Sequence, residues 1–361
     1  MTNKKISSLE LGCLLTFVLL STTTGIGMVN IINISGKDAY FSVVVAAITG
    51  IIPLWFIMKI NSKSYDKDIN DIISSSLGKG GIIFKILINI GVLFMGIVTM
   101  YSISNFIISQ FLSETSVLVI YIFLGVLVWI AVSKGIEVIA RSGILFLSIM
   151  GILFIIAAGT LITQIDINNI KPILEKGFSN PFIGGISLFL TNIVPILIIL
   201  IIPRNNIVDK DKYNKHLICF YLIGVVVCLI TTFITITSLG ENLAELYQYP
   251  EYIVLKNISL FGFLDRIENI ISIQWIFRCF IMLCLVVYYI SNSIKKNNNS
   301  KIIPLIIISS IIILELLLFK NNTIFNEFIL RWYPIINLVF LILIFLVGII
   351  YVVRSKIEKN N

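Results

Sequence analysis

The chain has 361 residues, 58% of them hydrophobic and 13% charged, with a mean hydropathy of +1.02. That balance excludes a soluble globular domain, because apolar runs of about 20 residues, each long enough to cross a bilayer, recur along the whole length. The net charge of +8 then calls for no nucleic acid, since basic residues flanking membrane spans orient them.

Lys4 and Lys5 precede the first apolar run, and no small-residue cleavage site follows a short core. The sequence therefore predicts an uncleaved first span over 9–34. Further spans are expected at 38–60, 80–112, 116–133, 136–163, 184–203, 215–238, 267–292, 302–320 and 330–353. The first span is interrupted. Ser21, Thr22, Thr23 and Thr24 lead into Gly25 and Gly27, poor helix formers that invite the backbone out of helical geometry at bilayer depth.

Between spans five and six, residues 164–183 carry Pro172 and Gly177. Span six is interrupted in turn by Thr191, Asn192 and Pro195. In the second long connection, 239–266, Tyr249-Pro250 followed by Ile253, Val254 and Ile258 predicts a short amphipathic helix opened by proline. That helix either lies on the surface or closes as a lid over an outward-facing cavity.

Arg278 lies about ten residues into span eight, roughly 15 Å along the axis and too deep to reach the interface. Intramembrane arginines face a cavity or a partner. Glu315 of span nine is a candidate partner, and both residues are assigned a structural or assembly role. No carboxylate is expected at mid-depth, which argues against ion-coupled transport. His216, the single histidine, sits at a basic span end suited to capping. The five cysteines lack metal-ligand spacing, and no nucleophile, zinc or phosphate-loop motif occurs, so neither enzyme chemistry nor a metal or cofactor is expected.

The basic residues set the orientation. Of the 27 lysines and arginines, only Lys37, Lys171, Lys176, Lys256, Arg266, Lys320 and Arg331 lie opposite the termini, with Arg278 inside a span. Both termini are therefore expected in the cytoplasm, along with residues 61–78 and 204–214. Ten spans in one domain, 1–361, divide into five plus five, the repeats running over about 9–163 and 184–353. An odd number of spans per repeat inverts one half, so span one corresponds to span six. Both carry interruptions, and inverted-repeat transporters build their midplane site from such a pair. Thr22, Thr23, Thr24, Gly25, Gly27, Thr191 and Asn192 are thus the candidate ligand-binding residues. The alternative is that the small residues allow close helix packing.

Several segments carry a family resemblance: "DINNIKPILEKG" at 166–177, "LDRIENIISIQWI" at 264–276, "GIEVIARSGILF" at 135–146, "SLGKGG" at 76–81 and the tail of span six ending in Pro203. In this order the chain resembles the B subunit of the nutrient germinant receptors of bacterial endospores, a branch of the amino acid–polyamine–organocation permeases. The resemblance implies an all-α fold of LeuT-like type and a subunit that binds a small nutrient, usually an amino acid, to trigger germination. It also implies an A subunit and a lipoprotein C subunit as partners, in the spore inner membrane. The family's first-span glycine turn falls on Gly25, and its pocket draws on span three, which here offers Thr99, Tyr101 and Ser102. The inner half of span eight, "CFIMLCLVV", is apolar and favours a ligand with an apolar side chain. An amino acid secondary transporter of the same fold is the competing expectation, and a scaffold that binds nothing is the third.

Overall fold

The structure, a computed structural model, describes residues 5–256, 268–294 and 301–360. Nearly all of these are helical, and no strand occurs among them. Hydrocarbon offers backbone groups no partner, and helices pair those groups within each segment. Among the described residues, eight helical runs are long and apolar enough to cross a membrane. The first run, Ser8–Lys63, holds two spans, and the shorter apolar helix Ile302–Leu318 completes the expected ten. The protein is an all-α integral membrane protein.

α1 (Ser8–Ser21) opens on a capping box, in which the Glu10 amide donates to Ser7 Oγ and the Ser7 amide donates to the Glu10 carboxylate. A π-helical turn, Thr23–Gly27, leads into α2 (Met28–Ser35), and Gly36 then turns the chain back into α3 (Ala39–Thr49) and α4 (Ile51–Lys63). Both α1 and α4 pack on the segment Val194–Ile201, so the second span returns alongside the first.

Residues 61–78 are not a plain connection. α5 (Ile69–Leu77) buries Ile69, Ile72, Ile73 and Ser76, the spacing of one helical face. α6 (Gly81–Gln110), α7 (Val117–Lys134) and α8 (Ile136–Leu161) complete the first half. α9 (Ser179–Leu188) then passes through a second π turn, Phe189–Ile193, into a 3-10 run over Val194–Ile201. A 3-10 run of this length is uncommon. Its rise of about 2.0 Å per residue, against 1.5 Å in an α-helix, lets a short half-helix reach its end of the bundle.

α10 (Tyr213–Leu246) is kinked at Gly240, and α11 (Pro250–Lys256) follows. α12 (Asn269–Ile294), α13 (Ile302–Leu318), α14 (Asn322–Arg331) and α15 (Tyr333–Asn360) complete the chain, and α5 packs against α15. α1 and α12 lie at the centre, where α1 touches α8, α10, α12 and the Val194–Ile201 run. α8 presents Ile152 and Ile155 to the surface that would face lipid.

The segments that carry the family resemblance have visible work. Asn169 Nδ2 and the Asp166 amide both donate to Thr237 O just before the α10 kink, while Lys37 pairs with Glu175 at 2.6 Å. Residues 166–177 thus brace that kink against the turn between the first two spans. Glu137 accepts from the Lys5 amide at 2.9 Å. His216 Nδ1 lies 2.6 Å from Ser8 Oγ, at the face that bears the chain termini.

A roofed helix break as the candidate functional site

Four consecutive hydroxyl residues and a glycine end α1 at Ser21, and the chain widens into the π turn instead of unwinding. The Gly27 amide donates to Thr22 O at 2.8 Å, and Gly25 takes φ +73°. A Cβ at Gly25 would come within 2.8 Å of the Tyr249 ring and 3.0 Å of Trp275. Gly25 is therefore required twice, by its left-handed backbone and by its lack of space. At Gly27 a Cβ would meet Asn192 Oδ1 at 2.6 Å, so the two interrupted helices touch there.

Hydrogen bonds join the interruptions. Thr22 Oγ1 donates to Thr191 O at 3.2 Å, Asn192 Nδ2 to Thr23 Oγ1 at 3.1 Å, and Thr191 Oγ1 to Asn192 Oδ1 at 2.8 Å. Thr22, Thr23, Gly25, Gly27, Thr191 and Asn192 thus form one buried cluster. The side chain of Thr24 lies outside the described residues, as do Ile258 and positions 264–267 of the "LDRIENIISIQWI" segment.

Tyr101 is not brought to this cluster. It donates to Asn322 Oδ1 at 2.7 Å and stacks on Phe325, facing α14. From α6 it is Asn105 and Phe106 that reach the break. Asn105 Nδ2 donates to the Tyr249 hydroxyl at 2.7 Å, and Phe106 packs with its ring centroid 4.3 Å from that of Trp275 and 5.1 Å from that of Tyr249. α11 is not a surface helix. Pro250, Glu251, Tyr252, Val254 and Leu255 are all buried, and Tyr249 closes over Gly25 as part of an aromatic roof.

Arg278 is 6% exposed and does not pair with Glu315. Its Nη1 donates to Leu20 O at 3.4 Å and its Nε to Gln274 O at 3.2 Å. The carboxylate that shares its cavity is Glu251, 2% exposed, which α11 supplies. Glu315 instead lies near Tyr121 and Tyr101. The spans alone hold no carboxylate at this depth; one arrives from a connection. The proline that opens α11 and the glutamate after it, ahead of "YIVL", were the available signal.

Arg278, Glu251, Gln274, Thr23, Thr231 and Thr235 form the polar part of a cavity of about 40 Å³, walled otherwise by apolar groups such as Phe154, Ala157, Val254 and Ile271. A volume of that size holds roughly three waters. A ligand the size of an amino acid does not fit the cavity as it stands.

Comparison with known proteins fits this arrangement. Residues 5–326 match the family model described as spore germination protein. The chain belongs to that family. It is 28% identical over 243 residues to the putative spore germination protein YfkT of Bacillus subtilis (strain 168), a match covering 66% of this chain and 65% of that protein. It is 23% identical to spore germination protein XB of Bacillus anthracis, over 76% of this chain and 78% of that one. With spore germination protein KB of Bacillus subtilis (strain 168) it shares 30% identity over 48% of each. Among solved structures, it superposes on the substrate-bound, outward-open state of a Na+-coupled sialic acid symporter with a TM-score of 0.60. The identity is 12%, and the overlap covers 97% of this chain and 78% of that one. At that identity the likeness establishes the fold alone, an all-helical LeuT-like fold.

Proposed function

We propose that this permease-like protein is the nutrient-sensing B subunit of a germinant receptor, a single domain of two inverted repeats. It binds a small nutrient, an amino acid with an apolar side chain, at the paired helix breaks. One observation carries this reading: two interrupted helices are hydrogen-bonded to each other beneath an aromatic roof, around a glycine that admits no side chain. The apolar walls beside Arg278 and Glu251 favour a ligand with charged ends and an apolar body. The protein acts with an A subunit and a lipoprotein C subunit in the spore inner membrane. Its termini face the cytoplasm, as the basic residues favour. It carries out no enzymatic reaction.

A secondary amino acid transporter is the second reading, supported by the symporter-like fold. The half of the bundle nearer the termini speaks for sensing. Val194–Ile201 and Ile281–Val287 are at most 2% exposed apart from Pro195, which is also buried, and they fill the space a substrate would cross.

Gly25→Leu tests the proposal. Membrane abundance near normal with nutrient binding and germination abolished is the expected result; retained binding at normal abundance refutes it. Uptake of the nutrient into proteoliposomes by the wild-type protein would favour the transporter. Cysteine labelling at position 210 from outside intact cells would contradict the orientation.

A further inference from the structure

We propose that the Arg278 guanidinium is the resident cation of the first-helix break, neutralising carbonyls that would otherwise call for a free ion, so that the site operates without Na+. The carbonyls in the last turn of a helix have no intrahelical donor, and the C-terminal end carries about half a negative charge. At bilayer depth such groups need a partner, and carriers with broken helices use the coupling ion for that purpose. Here α12 supplies the partners covalently. Arg278 Nη1 reaches Leu20 O at 3.4 Å, a carbonyl that also accepts from the Thr22 amide, and the neighbouring Cys279 thiol reaches Ser21 O at 3.7 Å. The bond from Nε to Gln274 O holds the side chain against its own helix.

The choice of residue is informative. A buried guanidinium is expensive to desolvate, and a leucine of similar bulk would serve plain packing better. Arginine also stays protonated at any physiological pH, so its charge cannot be released as a lysine's could. Glu251 lines the same cavity as Arg278, and because it sits on α11 it ties the break to the roof. A zwitterionic nutrient would add no net charge to such a site. The consequence for nutrient response rests on the sensing reading above; the consequence for stability does not.

The decisive measurement is the thermal unfolding midpoint of the purified protein in NaCl and in choline chloride at equal ionic strength. An ion that binds the native state and not the unfolded chain raises the midpoint, its stabilisation growing with the logarithm of ion concentration above Kd. The wild-type midpoint should be the same in both salts. Arg278→Ala should unfold several degrees lower in choline and recover part of the loss in Na+, which enters the vacated place. Arg278→Lys should restore most of the stability and remain indifferent to Na+. Na+-specific stabilisation of the wild type or of Arg278→Lys overturns the proposal, as does an Arg278→Ala protein whose loss is the same in both salts. Should Arg278→Ala not be recovered from membranes, the wild type and Arg278→Lys still decide. In spores, the nutrient concentration for half-maximal germination should agree within about twofold between Na+ and choline buffers; a tenfold advantage for Na+ also overturns it. Absence of any nutrient response in either buffer refutes the sensing reading instead, and the unfolding midpoints still rule on Arg278.

Discussion

The roofed half of the bundle and the half toward the chain termini follow opposite rules. Around the breaks, backbone groups are handed to side chains: Leu20 O to Arg278, Ser21 O to Cys279, Thr191 O to Thr22. Arg278 and Glu251 sit there with almost no exposure. In the other half, Val194–Ile201 and Ile281–Val287 offer only apolar surface to one another, and their side chains are closed to solvent. A packed apolar interior transmits displacement but has nothing to recognise, whereas a polar interior with special backbone recognises but packs less well. Substitutions in the two halves should therefore separate into changes of response and changes of stability.

The largest separation is expected between Gly25→Leu and Ile198→Ala. The first removes the response at near-normal abundance, as set out above. The second leaves a cavity in the dry half and should lower stability by about 2–5 kcal/mol. Its surviving molecules should respond at the wild-type nutrient concentration. A shifted dose response for Ile198→Ala would place recognition in both halves and dissolve the contrast.

Trp275→Ala should have an intermediate effect. The indole packs on Phe106 and Tyr249 above Gly25, so its loss opens the roof without touching the hydroxyl cluster. The expected result is a nutrient requirement raised roughly tenfold, about 1.4 kcal/mol, checked by a germination dose curve alongside membrane abundance. An unchanged curve would mean that the roof is not on the ligand's path. Thr23→Val should do less. It keeps the shape and removes the hydroxyl that accepts from Asn192, a change of about 1 kcal/mol.

How much of this was legible in the sequence follows the same division. The ten spans could be read because apolar length is a one-dimensional property, and the two interruptions because Thr, Gly, Asn and Pro announce themselves in apolar runs. α5 was missed although Ile69, Ile72, Ile73 and Ser76 form a helical stripe, since its nine residues fall among Asp, Asn and Ser that suggest a loop. Tyr101 was chosen from its helix alone. Which side of α6 faces the break depends on how that helix is rotated against its neighbours, and the rotation offers Asn105 and Phe106 to Tyr249. The carboxylate that shares a cavity with Arg278 lay beyond reach for another reason. Glu251 enters from a connection, and no spacing rule links position 251 to position 278. The closure of α11 onto α12 is a tertiary event.

The smallest effect belongs to the rim of the terminal half and tests whether charge there matters to response at all. Asp68 caps α5, its Oδ1 accepting from the Asp71 amide at 2.9 Å. It borders a polar cavity of about 310 Å³ with Asn70, Lys85 and Asn292. Burial pushes its carboxyl up to about 6; the bond from the Asp71 amide opposes this, and the Asp71 carboxylate adds to it. An unfolded aspartate titrates near 3.9. Between those values the native protein holds the proton more tightly than the unfolded chain, so stability should rise as pH falls from about 7 toward 4. After allowance for water at the half-buried site, the gain is about 1–2 kcal/mol. Asn is as good a helix cap as Asp, so Asp68→Asn should raise the unfolding midpoint slightly at pH 7.5 and flatten its slope between pH 7.5 and 5. The difference between the two proteins isolates this carboxyl from other titrating groups. Equal slopes would remove Asp68 from the account, and a shifted nutrient requirement in Asp68→Asn would extend recognition into the terminal half.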